Sequence, residues 1–188
     1  MLSKRAIAYT LTTGLAAAIL FFQLIRKPEP VAWLPYAQQW DPLPLTVALA
    51  PSLERDFSDQ FRDAIDEFNK RVGCKKTKLL VRDSEFPRAH VITPDVRWGC
   101  GGTKELPADV ESATYFCKDK SADVLMTSPG HVRVAYLTFL HEFVHLFGVD
   151  HAREGLMIER PKWAPEAPPP WPTLSDEQAA AIRGRFCP

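Results

Sequence analysis

Residues 141–151 read His141-Glu142-Phe143-Val144-His145-Leu146-Phe147-Gly148-Val149-Asp150-His151, and no other run constrains this chain as tightly. His141 and His145 are four positions apart, so on a helix both imidazoles leave one face and can reach one cation. Glu142 neighbours the first of them and can reach a water at the same point. Gly148 can take a left-handed backbone conformation, which stops a helix and turns the chain. That turn lets His151 swing back as a third ligand. Three neutral nitrogens with one position left open make a catalytic rather than a structural zinc arrangement. Five fixed positions, each at roughly one residue in twenty, recur by chance on the order of once in 10⁴ chains of this length. Three of the chain's five histidines fall in this window.

The flanking helix, about Val132 to Phe147, is apolar nearly all round. A buried helix carries His and Glu only where those polar groups have a partner, and a metal with its water supplies one. Elsewhere the pattern reads as an α/β domain. Leu45 to Ala50 is a buried strand, and Leu53 to Val72 an amphipathic helix with Phe57, Phe61, Ile65 and Phe68 on one face and Gly73 as its stop. Strands are expected over 78–82, 89–96, 113–117 and 122–127. A Gly-rich turn surrounds Cys100, and a Pro-rich loop runs from Pro161 to Pro172. The last helix starts at Ser175, where Ser-Asp-Glu-Gln forms a capping box. The order β-α-β-β-β-β-α-α gives a mixed twisted sheet with three helices.

Ala6 to Ile25 is a 20-residue run without a charge, flanked by basic residues on both sides. As a helix it rises roughly 30 Å, the hydrocarbon thickness of a bilayer. No small-x-small cleavage site follows it, so residues 1–27 read as an uncleaved membrane anchor; a cleaved signal would make the chain secreted. Residues 28–44 are a Pro-rich linker whose tryptophans pack on the domain or at the lipid interface, and residues 45–188 are the domain. Flanking charge leaves the orientation open, but the cysteines place the domain outside the cytoplasm. Cys74, Cys100, Cys117 and Cys187 form no CxxC pair, and an even count behind an apolar segment suggests two disulfides. Three pairings are possible, beside four reduced thiols. The favoured one joins Cys100 to Cys117 in a short loop and Cys74 to Cys187 across the domain. Lys+Arg and Asp+Glu are equal at 23 each, with no long basic run, which argues against nucleic acid as a partner. His90 and His131 read as ordinary surface or capping residues.

The motif resembles that of the metzincin clan of zinc peptidases, most closely the matrixin-like branch. Such proteins carry a methionine turn after the third histidine, and Met157, six residues past His151, is the matching position. The closing segment from Leu174 to Phe186 is similar to the final matrixin helix. The link from His151 to Met157 is short, and Ile158-Glu159-Arg160 follows where many relatives have Pro or Tyr. The resemblance implies a zincin-like domain, one catalytic zinc on His141, His145 and His151, and Glu142 as general base. It implies hydrolysis of peptide bonds in a protein or peptide substrate that pairs with an edge strand, for which 113–117 is the candidate. Two further readings stay open: a catalytically idle zinc module serving adhesion or interaction, and a peptidase acting on cell-wall peptides.

Overall fold

The computed structural model describes residues 30–34, 40, 43–81, 89–92, 106, 110, 112–126, 135–152, 155–157 and 173–187. The expected anchor over 6–25, the turn at Cys100 and the Pro-rich loop over 161–172 lie outside them. Among the described residues no helix is long and apolar enough to cross a membrane. The elements come in the order β1 (Leu45–Leu49), α1 (Pro51–Val72), β2 (Leu79–Val81), β3 (Ala89–Ile92), β4 (Ser112–Phe116), β5 (Ala122–Met126), α2 (Ala135–Leu146), a 3₁₀ turn (Gly155–Met157) and α3 (Asp176–Phe186).

The five strands form one mixed sheet in the order β2-β1-β3-β5-β4. All neighbours are parallel except β4 and β5, which pair Ser112 with Met126, Thr114 with Val124 and Phe116 with Ala122. In β1 every second residue, Leu45, Val47 and Leu49, is buried, the period-2 pattern of a strand with one face on the core. β5 is buried at all five positions, so both of its faces are covered, with Leu125 in a second small cluster beside Ala50. Among the described residues β4 is an edge strand of the sheet.

The helices cover the inner face. α1 buries Phe57, Phe61, Ile65 and Phe68, the stripe its sequence spacing predicts. It ends at Gly73, whose φ of +65° is left-handed and whose N–H bonds Asn69 O at 2.9 Å. α1 meets α2 through aromatic rings: Phe61 lies 5.4 Å from Phe139 and 5.7 Å from Phe143, both edge-to-face, and Phe68 stacks on Phe147 at 5.1 Å. The N-terminal turn of α2 is tied back by Tyr136 N–H donating to Gln60 Oε1 at 3.2 Å.

α3 begins at the expected capping box, with Ser175 Oγ accepting from Gln178 N–H and Gln178 Oε1 accepting from Ser175 N–H. Arg183 Nε donates to Val72 O at 2.9 Å, satisfying a carbonyl at the end of α1 that the helix leaves unpaired. The Cys74–Cys187 disulfide joins the same two ends across 113 positions, one half of the favoured pairing. Cys117 is also disulfide-bonded, and its expected partner Cys100 lies outside the described residues.

The compact unit runs from Val31 to Pro188, so it takes in part of the Pro-rich segment over 28–44. Val31, Trp33 and Leu43 pack against the core, and Trp40 is buried within it. Trp40 Nε1 donates to Leu146 O at 2.6 Å, near the end of α2, and its ring lies 6.1 Å from Phe116. Trp33 bridges Val149, with Leu34 N–H donating to Gly148 O and Asp150 N–H donating to Ala32 O. The segment thus braces the chain just before His151. Replacing Trp40 with alanine removes a buried ring and orphans a carbonyl, and should lower unfolding free energy by about 3–5 kcal/mol. Urea denaturation of the variant beside Trp40→Phe, which keeps most of the packing and loses less, checks this.

Candidate metal centre

Every described residue of α2 except Tyr136 is buried, including His141, Glu142 and His145. The helix ends within two residues of His145: Gly148 has φ +82°, and its N–H reaches back to His145 O at 2.7 Å. This left-handed stop redirects the chain, as the spacing predicts, and His151 returns to the two helical imidazoles. His145 Nε2 lies 3.0 Å from His141 Nε2 and 3.2 Å from His151 Nε2. All three ligand atoms fall within 4.8 Å of one another. His141 and His145 are buried, whereas His151 is exposed, which leaves the cluster open to solvent on that side.

The far sides of the rings explain why they hold this pose. His141 Nδ1 is 2.7 Å from Leu156 O, and His145 Nδ1 is 2.7 Å from Val149 O. A carbonyl oxygen can only accept, so each Nδ1 carries the proton and each Nε2 presents a lone pair. Two such lone pairs face each other at 3.0 Å, with no hydrogen to bridge them. Without a cation this is a repulsive contact. A tetrahedral ion with bonds of about 2.0–2.1 Å would hold nitrogens roughly 3.3 Å apart, close to what is seen. The residues therefore fit a single zinc-sized cation, and His141, His145 and His151 would hold it.

Carbonyl partners for the ligand rings are the usual outer shell of such a centre. Here one comes from the turn that carries Met157. Leu156 and Met157 are fully buried, and Ala152 N–H donates to Met157 O at 2.7 Å, closing the short link after His151. Met157 thus lies in the core, with its neighbour's carbonyl holding a ligand. Asp150 does not join the cluster: its Oδ1 accepts from His151 N–H at 2.7 Å and stands 3.7 Å from His151 Nδ1.

Glu142 is only 2% exposed. Ser112 Oγ donates to its Oε1 at 2.6 Å, and Thr114 Oγ1 donates to its Oε2 at 2.5 Å. Sequence reading places 113–117 at a sheet edge but does not find these partners. The signal was available in the alternation of Ser112-Ala113-Thr114-Tyr115-Phe116, whose first, third and fifth residues share one face. Of the other histidines, only the backbone of His90 is described, in β3, and His131 lies outside the described residues.

No protein-family model matches the chain, and no curated protein matches it either. Among solved structures it is similar to one described as the GM1 bound form of the ECX AB5 holotoxin, at 12% identity, over 74% of this chain and 78% of that one, with a TM-score of 0.43. A likeness that distant carries no argument about function.

Burial penalises the charged form of His141 and pushes its pKa from 6.5 down to about 4; His145 and His151 push the same way, against the opposing pull of Glu142. The ring is neutral near pH 7, as a ligand must be. Between pH 6.5 and 4 the unfolded chain binds the extra proton and the folded chain does not. Stability of metal-free protein should therefore fall as pH drops through this window. Urea midpoints at pH 7 and pH 5 should separate more in the wild type than in His141→Gln.

Proposed function

We propose that this chain is a zinc-dependent endopeptidase of the metzincin type, anchored in a membrane through residues 6–25 with its domain outside the cytoplasm. The observation that carries the reading is the convergence of three Nε2 nitrogens beside a buried carboxylate on the helix that supplies two of them. A structural zinc site is closed by four protein ligands, whereas among the described residues this cluster offers three, one of them exposed. The Cys74–Cys187 disulfide and the disulfide-bonded Cys117 favour an oxidising compartment, in keeping with a domain beyond the membrane.

The zinc, when bound, supplies Lewis acidity toward a water and toward the scissile carbonyl. His141 and His145, locked by Leu156 and Val149, keep the ligand nitrogens aimed at one point, so little reorganisation is needed during reaction. Glu142 takes the proton of the attacking water on a carboxylate oxygen and returns it to the leaving amine nitrogen. An extended substrate adds a strand along the outer edge of β4, which brings a peptide bond past the centre. A carboxylate beside the three imidazoles is the base that hydrolysis requires, and that favours the enzyme over the adhesion reading.

Zinc-loaded protein incubated with a broad peptide library should cleave part of it. Chelator should abolish cleavage, and Glu142→Ala should lower it by about 10²-fold or more while still binding zinc. Cleavage that survives both treatments, or its absence from clean zinc-loaded protein, defeats the reading.

A further inference from the structure

The inner face of β4 is unusual for a strand on the core. Its neighbour β5 turns Val124 and Met126 to that side, both fully buried. Opposite them, in register, β4 places Thr114 and Ser112. The next inward residue, Phe116, returns to apolar packing against Trp40, while Tyr115 on the outer face packs against a separate small cluster with Leu125. Two hydroxyls therefore stand where packing alone favours aliphatic side chains, and both donate to one carboxylate. The two hydroxyls are half-buried and the carboxylate is fully buried; a buried carboxylate without donors costs free energy, so Glu142 depends on the pair.

From this arrangement, and resting on the peptidase reading above, we infer that Ser112 and Thr114 are positioning residues that hold the Glu142 carboxylate in its working orientation. Each oxygen of the carboxylate accepts one hydroxyl, at 2.6 Å for Oε1 and 2.5 Å for Oε2, the short range of charge-assisted bonds. Two donors on two oxygens fix the plane of the group, which a single donor would leave free to rotate. A carboxylate oxygen has about two lone-pair sites, so one remains on each oxygen. One can receive the water proton and the other can face the leaving amine. The imidazoles are held separately, by Leu156 O and Val149 O, so the hydroxyl pair acts on the base and not on metal binding. The clamp also sits on the edge strand, so the element proposed to receive substrate is the one that sets the base.

The test compares the full-length wild type with Ser112→Ala/Thr114→Val, with the hydroxyl-keeping Ser112→Thr/Thr114→Ser, and with Glu142→Ala. The hydroxyl-free double variant should keep one zinc per chain and a KM within about twofold, while kcat falls about 10- to 100-fold. The hydroxyl-keeping pair should recover most of kcat. A second readout needs no turnover: the melting temperature of metal-free protein in a double-mutant cycle. Loss of both hydroxyls should lower it when Glu142 is present and leave it unchanged or raised in the Glu142→Ala background. Unchanged kcat in the zinc-loaded double variant, or an equal loss of melting temperature in both backgrounds, overturns the inference. A wild type that cleaves nothing defeats the peptidase reading and the catalytic role with it, while the melting cycle still decides whether the hydroxyls hold the carboxylate.

Discussion

Two hydrogen bonds from imidazole Nδ1 atoms to backbone carbonyls set the chemistry of this molecule. By tying down one nitrogen of His141 and one of His145, Leu156 O and Val149 O leave the opposite nitrogens unprotonated and aimed at each other. Facing lone pairs at 3.0 Å suit a shared cation, which His141 and His145 could hold together. The fold is then best understood as what keeps those two carbonyls in place. One belongs to the turn at Met157, and the other follows directly on the left-handed Gly148.

The surrounding packing serves that end. α2 is pressed against α1 through Phe61, Phe139 and Phe143, so the helix cannot roll and carry its histidines out of alignment. Its C-terminal end is braced from two directions. Trp40 donates to Leu146 O, and the extended segment around Trp33 bonds both Gly148 and Asp150. α3 and the Cys74–Cys187 disulfide secure the far end of α1, the helix on which α2 rests. β4 completes the centre from the sheet side through Ser112 and Thr114.

Much of this was legible in the sequence because the signals were local. The stripe of phenylalanines in α1, the stop at Gly73, the capping box at Ser175 and the period-2 burial of β1 each follow from a few neighbouring residues. The clustering of the three histidines was equally local, since an i, i+4 pair and a glycine turn lie within eleven residues. What sequence reading missed was non-local. Nothing near Glu142 announces hydroxyl donors some thirty positions earlier, and nothing near Leu146 announces Trp40 more than a hundred positions away. Backbone carbonyls such as Leu156 O carry no residue signature at all, so partners of that kind appear only in three dimensions.

X-ray absorption at the zinc edge of zinc-loaded protein reports directly on whether three imidazoles share one ion. Three nitrogen scatterers at about 2.0–2.1 Å with imidazole multiple scattering, plus one light-atom ligand, is the predicted first shell. A shell containing sulfur near 2.3 Å, or one made of oxygens without imidazole scattering, would contradict it.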